Sequence, residues 1–154
     1  MLLAIIHAPA DKKLSAWLTA FFTGSTAYHC GFVCEETGTF YDMNLLPRKL
    51  PWPRYNPPKW VMLYPVPVLT RQHCEDFLKM DGEQKYGWLD YALFALRPIY
   101  HLFGKSTRNA NGMICSEMCA VWMNRVCYDV PMSPVPSPAD LEGWALKHAH
   151  KKED

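Results

Sequence analysis

The chain has 154 residues, 49% hydrophobic and 20% charged, which suits one folded domain around one core rather than a disordered chain. A net charge of +1 leaves no basic footprint, so nucleic acid is not an expected partner. Aromatic residues reach 14%, which favours a compact core beside a lined groove.

The first element expected is a short buried strand, Leu2 to His7. The apolar run that contains it is too short for a secretion signal and has no basic residue ahead of it. No stretch approaches the roughly 20 apolar residues of a membrane span, so no stable membrane insertion is expected. Six cysteines then read as free thiols in a reducing cytoplasm, that of a bacterium or of a phage-infected host cell. Asp11 to Phe22 reads as a helix with Leu14, Trp17, Leu18 and Phe21 on one face, closed by Gly24. Tyr28 to Cys34 and Thr39 to Asn44 read as two strands, joined by Glu35-Glu36-Thr37-Gly38 into a hairpin.

Composition shifts at about residues 45–59. Pro47, Pro51, Pro53, Pro57 and Pro58 are mixed with Trp52 and Tyr55, a pattern expected to exclude regular structure and to give an ordered loop with aromatic anchors. Such a loop either flanks the active site or simply connects elements. Trp60 to Val68 reads as a further strand whose far end, with Pro65 and Pro67, lies at an edge. Thr70 opens a helix that turns Phe77 and Leu78 inward. Tyr86 to Tyr100 is apolar and helical until Pro98, and Phe103 to Gly112 is a polar loop. Cys115 to Cys127 is the central helix. Ser137 caps a last one, with Pro138 in its first turn and Asp140 near the positive dipole end. The tail after Lys147 is charged and expected to fray.

Four residues carry candidate chemistry. Cys115 sits in the first turn of its helix, on one face with Met118, Cys119, Trp122 and Val126. A helix N-terminus stabilises a thiolate, and a nearby imidazolium does so too. His29 heads the strand Tyr28 to Cys34, and Gly31 beside it removes bulk so that another element can approach closely. Asp42 is the one carboxylate in the apolar run Phe40 to Asn44, placed across the hairpin where it can orient the imidazole. Tyr86 offers a phenol for an oxyanion. Each also has a plainer reading: a small buried thiol, a core histidine, a solvated strand-end acid and a packing aromatic. A zinc site from His29 and the C-x3-C pairs Cys30/Cys34 and Cys115/Cys119 ranks below these. Structural zinc usually takes C-x2-C around turn residues, whereas these pairs belong to a strand and a helix. Motifs of serine hydrolases, P-loops and zincins are absent.

Taken together and in order, four segments resemble the circularly permuted branch of the NlpC/P60 superfamily of papain-like cysteine hydrolases. Tyr28-His29-Cys30-Gly31-Phe32-Val33 is similar to its H-x-G strand. Ile114-Cys115-Ser116-Glu117-Met118 is similar to its C-S-E helix start. Tyr86 followed by Asp90 is similar to its tyrosine motif, and Pro138-Ala139-Asp140-Leu141 to its closing P-x-D-L. The resemblance implies an α+β papain-like fold, with a small antiparallel sheet packed on the helix that carries the nucleophile. It implies a single catalytic domain over 1–154, with Cys115 as nucleophile, His29 as base, Asp42 in the third position and Tyr86 near the oxyanion. Neither metal nor cofactor is required. The implied reaction is cleavage of an amide in a peptide or peptidoglycan stem through a thioacyl-enzyme. Acyl transfer or thioester cleavage on a lipid is an alternative on the same triad, and a non-catalytic, phage-encoded binding module is another. Two features depart from the family pattern: Cys30 stands where an aliphatic residue is usual, and the proline-rich segment has no clear counterpart.

Overall fold

The computed structural model describes residues 1–7, 25–52, 60–84, 113–132 and 135–149. The helices expected over Asp11–Phe22 and Tyr86–Tyr100, the loop Phe103–Gly112, and residues 53–59 and 150–154 lie outside them, and so does Tyr86. Five strands form one antiparallel sheet: β1 (Leu2–His7), β2 (Ala27–Cys34), β3 (Thr39–Met43), β4 (Pro47–Pro51) and β5 (Trp60–Pro65). Their spatial order is β4-β3-β2-β1-β5. Three helices are described with them, α1 (Arg71–Asp81), α2 (Cys115–Arg125) and α3 (Pro138–Ala149), so the architecture is α+β.

β1 lies inside the sheet because Leu3, Ala4, Ile5 and Ile6 are apolar in succession, and all four are fully buried. One face of the sheet presents Leu3, Ile5, Cys30, Phe32 and Tyr41 to the main core, which α2 and α3 complete. The other face holds a smaller cluster of Ala4, Ile6, Val33 and Phe40, with Trp52 and Val61 against it. The β2–β3 hairpin turns at Gly38, whose φ of 57° is a left-handed conformation that glycine adopts at little cost.

The main core is closed by α2, which buries Met118, Cys119, Ala120, Trp122 and Met123. Trp122 stacks on Phe32 at 6.0 Å, and burying a side chain of this size contributes about 3 kcal/mol. Its indole N–H donates to Asp81 at the end of α1 (2.8 Å), and Arg125 gives the same carboxylate two bonds of 2.6 and 3.0 Å. At the start of α1, the Thr70 hydroxyl accepts the His73 N–H and the His73 ring accepts the Thr70 N–H, a reciprocal cap. Phe77 and Leu78 pack, partly buried, against the core as expected. Ser137 and Asp140 cap α3 reciprocally: the Ser137 hydroxyl accepts the Asp140 N–H (3.0 Å) and the Asp140 carboxylate accepts the Ser137 N–H (2.8 Å). A polar cluster ties α3 to the sheet, with His7 between Glu142 and Thr26 at 2.9 Å each and Tyr64 donating to Glu142.

Several expected boundaries move. Residues 47–51 form an edge strand rather than loop, because their prolines fall at the two ends, where an outermost strand tolerates them. β5 stops at Pro65 rather than Val68, and a turn follows in which the Leu69 N–H reaches the Val66 carbonyl (3.1 Å). α2 ends at Arg125 instead of Cys127. Cys127 takes a left-handed φ of 73°, and the Tyr128 N–H closes on the Met123 carbonyl. α3 runs past Lys147 to Ala149, with His148 stacked on Trp144 at 4.4 Å. No helix among the described residues is long and apolar enough to cross a membrane. All six cysteines are free thiols.

Candidate active site

β2 delivers His29 through an irregularity. Ile6 pairs with His29 but His7 pairs with Ala27, so Tyr28 is the extra residue of a bulge. Bulges re-aim neighbouring side chains, and this one lies directly beside the histidine. On the other flank the β2–β3 ladder runs from Gly31↔Asp42 to Cys34↔Thr39, and it does not extend to His29. Strand alternation then places Asp42 and Phe40 on the face shared with His29 and Gly31. Gly31 leaves a space that the Phe40 ring fills, and that ring meets the imidazole edge-on at 6.3 Å.

Asp42 is wholly buried and accepts from three donors on two side chains. Its Oδ2 lies 2.9 Å from His29 Nε2, and Arg48 gives Nε to Oδ1 at 2.7 Å and Nη2 to Oδ2 at 3.1 Å. Arg48 is directly opposite Asp42 in the β3–β4 register. Burial raises the pKa of this carboxyl, but the hydrogen bonds from His29 and Arg48 outweigh it and hold the group below its ordinary value. On the imidazole, Nε2 is the nitrogen that Asp42 engages.

Cys115, the first residue of α2, is electrostatically coupled to this imidazole. The preceding Ile114 provides no side-chain cap, so the first-turn N–H groups are not taken up by one and the positive end of the helix lies at the sulfur. Cys115 interacts with two successive residues of β2, His29 and Cys30. Burial by itself lowers the His29 pKa. The charge of Cys115, the hydrogen bond from Asp42 and the hydrogen bond from Cys115 overcome it, and the imidazole is pushed up to about 9. For Cys115 the Cys30 thiol and then burial push the sulfur's pKa up, whereas the charge and hydrogen bond of His29 pull it down. The upward influences win in the dry site, where 6% of the residue is exposed. A thiolate here therefore depends on a charged His29.

His29 is thus hydrogen-bonded to Asp42 and electrostatically coupled to Cys115. Tyr86 lies outside the described residues. Sequence reasoning missed Arg48. Its signal was its place beside Asp42 across a short link, which the surrounding prolines obscured. It also read Cys30 as a departure from a pattern and as a low-ranked zinc ligand, whereas Cys30 faces both Cys115 and Cys119 in the core. Among the described residues, no group of three or more His, Cys, Asp or Glu side chains is arranged to hold a metal ion. Chemically, the site can offer a sulfur nucleophile, an imidazole to exchange its proton, and a carboxylate that fixes the imidazole through Nε2. In comparisons with known proteins, the chain matches no protein-family model and no curated sequence.

Proposed function

We propose that the chain is a cysteine hydrolase with the papain-like fold of the permuted NlpC/P60 branch. In this reading it works in the cytoplasm on an amide of a peptide or peptidoglycan stem. One observation carries it: Cys115 opens α2 and is electrostatically coupled to His29, whose Nε2 is held at 2.9 Å by the buried Asp42. His29 takes the Cys115 proton, and the thiolate attacks the carbonyl carbon. The oxyanion meets the Cys115 N–H and, by the resemblance, the Tyr86 phenol. The C–N bond then breaks, and the imidazolium proton goes to the leaving nitrogen. Water attacks the thioester with His29 as base, which releases the acid and restores the thiol.

Acyl transfer or thioester cleavage on a lipid is the second reading. It is favoured by Leu45 and Leu46, 60% and 47% exposed in the turn that joins the strands of Asp42 and Arg48. An activated ester, p-nitrophenyl acetate, tests the common step. The reading expects a burst of nitrophenol and an acetyl group on Cys115 by peptide mass spectrometry, both lost in His29→Ala. Absence of burst and adduct in a folded protein contradicts it. Turnover of stem peptides against phospholipid vesicles then separates the two substrate classes.

A further inference from the structure

Arg48 belongs to none of the roles above, yet it makes the closest contact with Asp42. Its Nε lies 2.7 Å from Oδ1, and its Nη2 shares Oδ2 with His29 at 3.1 Å. Asp42 is fully buried, and its other charged neighbour is His29. A buried carboxylate with a single cationic partner grips that partner strongly. Were His29 the only cation on Asp42, the imidazolium would become a poor acid, and the proton due to a leaving nitrogen would stay on the ring. The guanidinium changes this balance. It takes one oxygen outright, shares the other, and fixes the carboxylate plane toward the imidazole.

We propose that Arg48 is a positioning residue of the Cys115/His29 site: it aims Asp42 at His29 and offsets enough of its charge for the imidazolium to release its proton. The inference rests on the hydrolase reading. It also gives the proline-rich segment a task. Pro47 and Pro51 bound the edge strand that sets Arg48 opposite Asp42, and a proline-bounded strand holds that register with little freedom. Among the described residues, the groups that face the pair are Asp42 from β3 and Cys115 from α2 on His29, and His29 from β2 and Arg48 from β4 on Asp42. Asp42 also acts on the thiols of Cys30 (β2) and Cys119 (α2).

The test reads His29 directly, by NMR titration of its ring Cε1–H in the histidine-labelled 154-residue chain. In the wild type the midpoint is expected at about 9. In Arg48→Met it is expected to rise by about one pH unit, because Asp42 is left with one cation. Arg48→Lys, which keeps the charge, is expected to restore the wild-type midpoint. If Arg48→Met does not fold, Arg48→Gln keeps an N–H donor without the charge and carries the same expectation. A midpoint that stays put or falls overturns the proposal, even if the melting temperature drops, since a purely structural residue would do that. The same samples are treated with p-nitrophenyl acetate. If the titration shifts as expected but Cys115 takes no acyl group in any variant, the hydrolase reading fails and the Arg48 coupling stands.

Discussion

Gly31→Ala puts the packing around His29 under direct strain. A methyl group at this position would lie 2.4 Å from the Tyr41 carbonyl oxygen and 2.6 and 2.7 Å from two atoms of the Phe40 ring. Relief to ordinary contact takes about 1 Å of movement, and the Tyr41 oxygen is backbone, so β3 itself must shift. Overpacking of this kind costs about 1–3 kcal/mol. At roughly 2–4 °C per kcal/mol for a chain of this size, the melting temperature falls by roughly 2–12 °C. The strain also reaches the Asp42–His29 bond. Asp42 follows Tyr41 on β3, and a 2.9 Å bond stretched by about 1 Å is no longer a hydrogen bond. Losing Asp42 removes one of the influences that raise His29, so its titration midpoint moves down from about 9. Circular dichroism melting and histidine NMR read the two effects. An unchanged melting temperature together with an unchanged midpoint would refute the packing argument.

Three other perturbations have defined signs. Cys30→Ala removes the leading upward influence on Cys115, so the pH at half-maximal alkylation of Cys115 should fall; a rise or no change counts against the Cys30 contact. Asp81→Asn strips a carboxylate from Arg125 and weakens the acceptor of Trp122, at about 2 kcal/mol given the partly exposed guanidinium. Thermal melting should record a loss of roughly 4–8 °C, and an unaltered melt would contradict the keystone role of Asp81. His29 titrates at about 9 in the folded chain against 6.5 ordinarily, so its contribution to stability is complete below 6.5 and is lost as pH rises through 9. Melting temperature should therefore decline across that window, and His29→Gln should flatten the decline; equal slopes would be inconsistent with the raised value.

Much of this architecture was legible because local and tertiary preferences agree. The unbroken apolar run of β1, the Gly38 turn between β2 and β3, and the caps at Thr70 and Ser137 each point to the element that forms. The reach from Asp42 to His29 followed from hairpin register alone. What escaped depended on context that a linear pattern does not carry. Proline marks residues 47–51 as irregular, but at the ends of an outermost strand its missing N–H is tolerated, and Arg48 went unnoticed inside that strand. The early end of α2 follows from one residue, Cys127, in a conformation that cysteine seldom adopts. The opposing effects of Cys30 and His29 on one sulfur needed the helix placed against β2 before either could be seen.

The pH dependence of iodoacetamide alkylation at Cys115, in wild type and His29→Ala, tests most directly whether this sulfur and this imidazole act as one unit. Exposed Cys127 serves as an internal reference in every peptide map. The account predicts that losing His29 moves the Cys115 profile to higher pH by about 1–3 units while the Cys127 profile stays in place. Superimposable Cys115 profiles in two folded proteins would contradict it.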